Sequence, residues 1–193
     1  MLFRSGFGGG GMGGGQQTGG AISEHTILMI RLLENTSFKN AFINRFCVLL
    51  ATNFSADRLL KRINDLQSQV ESEMARDQEF WGYNASSMSN NLATVKSFAQ
   101  SRQATIREQM ESYFTLSSPA EMTLSSQGSG TILVDGLQLD KSSMTVSFYR
   151  DVPVTLTAQA NSGSTFTGWS DGVTDATRKV NPGEVTSITA VFR

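Results

Sequence analysis

Cysteine and histidine are almost absent from this chain of 193 residues, which holds one of each, Cys47 and His25. A single cysteine excludes a disulfide within the chain and a site built from several thiolates, and a single histidine excludes a multi-histidine metal centre. Catalysis by His25 would need an orienting partner and a pocket, and the sequence indicates neither. We therefore interpret His25 as a solvated or capping residue near the start of a helix.

The sequence also has no excess of positive or negative charge, and it has no long apolar run. Sixteen Lys and Arg against 17 Asp and Glu leave a net charge of −1, so the chain has no basic field to hold nucleic acid or an anionic membrane. The apolar runs are only a few residues long, and the amino terminus is rich in glycine. We expect no nucleic-acid partner, no membrane span and no signal peptide.

Glycine and proline are distributed unevenly. Ten of the 18 glycines lie in residues 1–20, whereas residues 21–118 contain only Gly82 and no proline. All three prolines and the other seven glycines follow Ser118. This composition predicts a glycine-rich flexible segment at 1–20, a helical segment at 21–116 and an all-β module at 117–193. Gly6–Gly11 formally match a dinucleotide-binding fingerprint, but no apolar strand precedes them, so we interpret them as linker.

Apolar residues in the first half recur at helical spacing and predict four helices, near 24–34, 38–52, 56–79 and 91–115. The stretch from 82 to 89 is predicted to be a loop. Short polar residues that precede the helices predict their N-caps: Ser23, Ser37, Ser55 and Asn90 or Asn91.

After Ser118 the apolar period falls to two and predicts half-buried strands at 144–148, 152–160 and 188–192. Turn sequences separate the strands at intervals suited to hairpins: Asp135-Gly136, Asn161–Gly163, Ser170–Gly172 and Asn181–Gly183. The fold class is therefore predicted as α+β, with about four helices followed by a small antiparallel sheet or sandwich.

Three groups of residues have side chains that can react or bind a metal, and each group also has a purely structural interpretation. Cys47 lies inside an apolar stripe, which favours a buried thiol with a raised pKa. The acidic residues of the third helix favour a solvated face over a metal site; they are Glu71, Glu73, Asp77 and Glu79. Asp171–Asp175 is too short for a calcium loop, and turn formation explains it.

Trp169 is the one candidate for ligand binding that we single out. An exposed indole would stack on a sugar ring, but a small β-domain with few large residues more often uses such a ring to fill its core. We favour the core interpretation and keep carbohydrate stacking as the alternative.

Several segments in order resemble the carboxy-terminal helical part of the spore-coat CotH kinase family. They are Leu32–Phe46, Thr52–Leu59, Glu73–Arg76 with Trp81, and Ser97–Arg102. The resemblance spans about residues 28–116 and extends to the glycine tract, since members often carry one after the aspartate that holds the catalytic metal. The family's ATP lysine, catalytic aspartate and metal aspartate would lie upstream of residue 1. The resemblance therefore gives this chain no catalytic, metal-binding or cofactor-binding residue, and it implies Mg-ATP only for an intact family member.

The second half is similar to the divergent internalin-type B-repeat modules of bacterial surface proteins. The similarity rests on residues 128–134, 154–158, 166–172 and 188–192. It implies an extracellular or surface-attached spacer or binding module.

Our leading hypothesis is thus a non-catalytic fragment of a bacterial CotH-like surface or spore-coat kinase, joined to a β-repeat module. One alternative is a phosphotransferase that is active only with the upstream region, and another is a carbohydrate-binding or cell-surface-binding module. We also expect a protein or cell-surface partner, and self-association through exposed helical faces.

Overall fold

The computed structural model describes residues 24–82 and 85–193, within which four helices precede eight strands. The helices are α1 (Glu24–Glu34), α2 (Thr36–Ala51), α3 (Ala56–Trp81) and α4 (Ala85–Phe114). The strands are β1 (Pro119–Gln127), β2 (Gly130–Val134), β3 (Leu137–Gln138), β4 (Ser143–Tyr149), β5 (Val154–Ala160), β6 (Phe166–Trp169), β7 (Thr177–Val180) and β8 (Ser187–Phe192). The predicted α+β class is confirmed.

The chain divides into two compact units, Met1–Lys39 and Asn40–Arg193. The described part of the first unit is α1 and the first turn of α2. Asn35 separates the two helices, and its Oδ1 accepts a hydrogen bond from the Phe38 amide at 3.0 Å. Asn35 is therefore the N-cap of α2, and the predicted cap at Ser37 is wrong. The predicted cap at Ser23 and the glycine-rich segment 1–20 lie outside the described residues.

In the second unit, α3 and α4 form an antiparallel helical hairpin. Ser55 directly precedes α3, as predicted, but α4 begins at Ala85 and contains Asn90 and Asn91. The predicted loop at 85–89 and the predicted cap at Asn90 or Asn91 are therefore wrong. The Ser- and Asn-rich composition indicated a loop, but adding turns to an existing helix costs much less than nucleating one.

The chain leaves α4 through a tight reversal that leads directly into β1. Thr115 has φ of 56°, and the Leu116 amide donates to the Glu111 carbonyl at 3.1 Å, which is the pattern of a Schellman cap. Ser117 Oγ then donates to Asp151 Oδ1 at 2.7 Å. This bond ties the connection to the loop between β4 and β5.

The strands form a sandwich of two four-stranded sheets, ordered β4-β1-β8-β6 and β3-β2-β5-β7. All pairs are antiparallel except β1–β8. Asp135-Gly136 forms the predicted two-residue hairpin, between β2 and β3, with φ of 46° and 83°. The other three predicted turns connect strands of different sheets instead, so their assignment to hairpins is wrong.

One apolar core runs through the sandwich and into the helices. The strands contribute alternating residues such as Leu124, Val146, Leu156 and Ile188. Helices α2 and α4 add residues to the same cluster: Ile43, Cys47, Val48, Leu50 and Met110. The core thus includes residues from both sides of the predicted domain boundary at residue 117. The division into domains at that residue stays a prediction.

The packing of Gly130 against Phe192 gives a stability prediction. A Cβ atom on Gly130 would lie 2.5 Å from the Phe192 ring, so Gly130→Ala should lower the free energy of unfolding by about 1–3 kcal/mol through overpacking. Urea denaturation measures this loss. In a Phe192→Leu background the same substitution should cost clearly less, and an equal loss in both backgrounds would contradict the contact.

Candidate functional site

Polar side chains converge where α2 and α4 meet one end of the sandwich. Asn44 of α2 is fully buried, and its Nδ2 donates to Asp135 Oδ2 at 2.8 Å and to the Pro153 carbonyl at 2.9 Å. Its Oδ1 accepts no hydrogen bond from a described residue. One amide group therefore joins α2 to both the β2–β3 turn and the β4–β5 loop. We call this region the junction.

Arg45 adds a second contact between α2 and the same turn. Its Nε donates to the Asp135 carbonyl at 2.6 Å. The guanidinium also lies over Gly136, where a Cβ atom would approach Arg45 Nη2 to 2.8 Å. Gly136 is thus favoured both by its positive φ and by this close approach.

Helix α4 contacts the junction through Arg107, which lies near the thiol of Cys47 and the phenol of Tyr149. Arg107 Nη1 donates to the Ser147 carbonyl of β4 at 3.2 Å. Burial raises the pKa of Cys47 to about 11, although the Arg107 charge acts in the opposite direction. Burial, followed by the influence of Cys47 and Glu111, raises the pKa of Tyr149 to about 12. Both groups are neutral at pH 7, and the predicted burial of Cys47 is confirmed.

Trp169 lies in the core of the sandwich and is only 3% exposed. Its indole Nε1 donates to the Asp175 carbonyl at 2.8 Å, and the Arg178 guanidinium lies over the ring at 5.9 Å from its centroid. Stacking on a sugar requires an exposed ring face, and this arrangement offers none. The geometry favours the core interpretation.

Asp171 belongs to the turn that follows Trp169. Arg178 Nη1 contacts its two carboxylate oxygens at 2.6 and 2.7 Å, and this hydrogen bond lowers the pKa of Asp171. Asp171 Oδ1 also accepts from the Val173 amide at 3.4 Å. These contacts agree with turn formation as the role of Asp171–Asp175.

The acidic residues of α3 are exposed, and some of them border a depression of about 680 Å³ near the end of the helix. It is lined by Val70, Glu73, Met74, Arg76, Asp77, Glu79, Phe80 and Trp81. Over residues 24–82 and 85–193, no three His, Cys, Asp or Glu side chains are placed to hold a metal ion. His25 lies in α1, and its side chain is outside the described part of the structure.

Comparison of the sequence with family profiles gives two matches, which follow each other in the predicted order. A profile described as CotH kinase protein matches residues 7–106, about half of the chain. The chain belongs to the CotH kinase protein family. A second profile, described as a divergent InlB B-repeat domain, matches residues 121–193, which contain β2–β8 and most of β1. No curated protein and no solved structure matches the chain.

Both resemblances are thereby confirmed, and the junction lies between a CotH-like helical segment and a B-repeat module. Of the residues that build the junction, the sequence predicted the burial of Cys47 and the turn at Asp135-Gly136. It did not single out Asn44, Arg45, Arg107 or Tyr149. Among the described helices, none has both the length and the apolar character needed to cross a bilayer.

The raised pKa of Cys47 predicts a loss of stability at alkaline pH. The thiol ionises near its ordinary pKa of 9.0 in the unfolded chain and at about 11 in the folded chain. The free energy of unfolding should therefore be unaffected by this group below pH 9 and should fall by up to about 3 kcal/mol towards pH 11.

Urea denaturation at a series of pH values from neutral to pH 11 measures this slope. The Cys47→Ala variant will start from a lower stability but should lose less between pH 9 and pH 11. Equal pH slopes in the two proteins would show that the thiol is not desolvated.

Proposed function

We propose that this chain is a non-catalytic module of a bacterial surface or spore-coat protein, in which CotH-like helices hold a B-repeat sandwich rigidly. The sandwich serves as a spacer or binding domain outside the cell. The single observation that carries this proposal is the junction, where the Asn44 amide bonds to Asp135 and Pro153 within a core that both parts share.

The packing supports a rigid attachment rather than a flexible one. Leu50 of α2 and Met110 of α4 are buried in the same cluster as Phe148 and Tyr149 of β4. Separating the helices from the sandwich would expose this apolar surface and leave polar groups of the junction without partners, at a cost of about 1–3 kcal/mol for each such group. A spacer needs this property, because it must keep the orientation of what it carries.

The chemistry of the junction also supports a structural role. Cys47 and Tyr149 are neutral at pH 7. The Asp135 carboxylate accepts a hydrogen bond from Asn44, and Arg107 donates to a backbone carbonyl. Transfer of a phosphoryl group needs a cation or a backbone nest on the phosphates, carboxylates on magnesium and a base at the acceptor. The described residues of the junction hold no such set.

The proposal is tested by whether the helices and the sandwich unfold together. Cys47 is the single cysteine, so its labelling by a thiol reagent reports on the helices. In a Trp81→Phe background Trp169 is the single tryptophan, so its fluorescence reports on the sandwich. We expect both signals to change at the same urea concentration. Labelling of Cys47 at a urea concentration where Trp169 is still buried would mean that the helices detach, and would contradict the proposal.

Asn44→Asp provides a nearly isosteric variant for the same experiment. It places a carboxylate oxygen against Asp135 Oδ2 and should lower the free energy of unfolding by about 2–4 kcal/mol, with both probes shifted equally. Asn64→Asp, on the exposed part of α3, is the matched control and should change little. A shift in only one of the two probes would argue against a shared core.

Membership of the CotH kinase protein family supports one alternative, a phosphotransferase that acts only with further parts of a kinase domain. Calorimetric titration of the purified chain with Mg-ATP separates the two functions. We expect no saturable heat, whereas saturable binding would overturn the non-catalytic proposal and favour the alternative.

A further inference from the structure

The halves of α3 and α4 that lie farthest from the sandwich pair with each other and expose apolar side chains. Lys96 Nζ donates to Gln67 Oε1 at 3.1 Å, which fixes the register of the antiparallel pair. Leu66 and Val95 each directly precede one of these bonded residues. When two antiparallel helices contact each other, the residue that precedes the contacting residue lies on the same side of the pair in both helices. Leu66 and Val95 are 46% and 50% exposed on that side.

The same side of α3 continues towards the tip of the hairpin. Val70, Met74, Asp77 and Trp81 follow Leu66 at spacings of four, four, three and four, which keeps them on one helical stripe. These four residues line the depression of about 680 Å³, so the stripe is concave where it is least covered. We call this surface the hairpin face; its apolar members are Leu66, Val70, Met74 and Trp81 of α3 and Val95 of α4.

Charges of opposite sign lie at the two ends of the hairpin face. Arg62 and Arg102 lie at the end nearer the sandwich. At the tip are Glu73 and Asp77, and Glu73 is also 3.9 Å from Arg76. In the register fixed by Gln67 and Lys96, Arg102 lies level with Arg62. Neither Arg62 nor Asp77 makes an ion pair within the part of the chain that the structure describes. The midpoint between them along α3 lies beside Val70, in the middle of the apolar stripe.

We propose that the hairpin face binds a second copy of this chain in antiparallel orientation, around a two-fold axis beside Val70. The axis brings Arg62 of each copy to Asp77 of the other, and it brings Leu66 of the second copy to the depression. A two-fold interface of this kind is self-complementary. A parallel arrangement would set Asp77 against Asp77 and Arg62 against Arg62, which the charges disfavour.

The size of the hairpin face indicates a weak dimer. From Arg62 to Trp81 it is about 28 Å long at 1.5 Å per residue, and two packed helices are roughly 19 Å wide. It would bury roughly 1,000 Å² in total, at the lower limit for a specific interface. The proposal concerns assembly and goes beyond the function proposed above, since a rigid module can act either as a monomer or as a dimer.

Sedimentation equilibrium of the full chain over a wide range of concentrations tests this assembly. We expect a reversible monomer–dimer equilibrium. Arg62→Glu with Arg102→Glu puts acidic residues at both ends of the face, and Glu73→Lys with Asp77→Lys puts basic residues at both ends. Each of these two variants alone should weaken dimerisation by tenfold or more, while a mixture of the two should form heterodimers. Combining all four substitutions in one chain should restore the homodimer.

Lys61→Glu is the matched control, because it makes the same type of charge change on the other side of α3 and should leave the dimer unchanged. A cooperative urea transition, followed by far-ultraviolet circular dichroism, verifies that each variant is folded. A wild-type chain that stays monomeric at all concentrations would overturn the proposal. So would a mixture of folded acidic and basic variants that fails to associate, or a Lys61→Glu variant that weakens the dimer as strongly as the others.

Discussion

The buried Asn44 amide determines where the helices lie on the sandwich. Both hydrogen atoms of its Nδ2 are bonded, one to Asp135 and one to Pro153. Apolar surfaces alone tolerate sliding, whereas a buried donor that loses its acceptor costs about 1–3 kcal/mol. Moving α2 by one turn would break both bonds and also the bond from Arg45 to Asp135. The junction is therefore specific in geometry as well as apolar.

The packed unit does not follow the boundaries of the sequence families. The CotH profile ends at residue 106 and the B-repeat profile begins at 121, but Met110 lies between them and is buried in the core. Ser117 in the same interval is bonded to Asp151. Residues outside both profiles thus help to hold the two modules together, which a flexible linker would not do.

The sequence predicted most of what depends on local pattern. The helical and strand periods placed three strands within two residues of their bounds, and the burial of Cys47 followed from its apolar neighbours. The sequence did not predict the junction, because Asn44 and Asp135 are 91 positions apart and nothing near either residue indicates the other. An asparagine between Ile43 and Cys47 in an apolar stripe was the available signal. The start of α4 does not follow from local composition, because the Ser- and Asn-rich residues before Leu92 extend the helix and do not form a loop.

The position of β8 in its sheet has a consequence for how the sandwich is made. β8 lies between β1 and β6, and its pairing with β1 is parallel. Until β8 leaves the ribosome, β1 has a neighbour on one edge only and β6 has none in its sheet. Contacts between distant parts of a chain form slowly, since the intervening segment must first be closed into a loop. The sheet that contains β1 is thus completed only after synthesis of the whole module, with an open edge that chaperones could bind in the meantime.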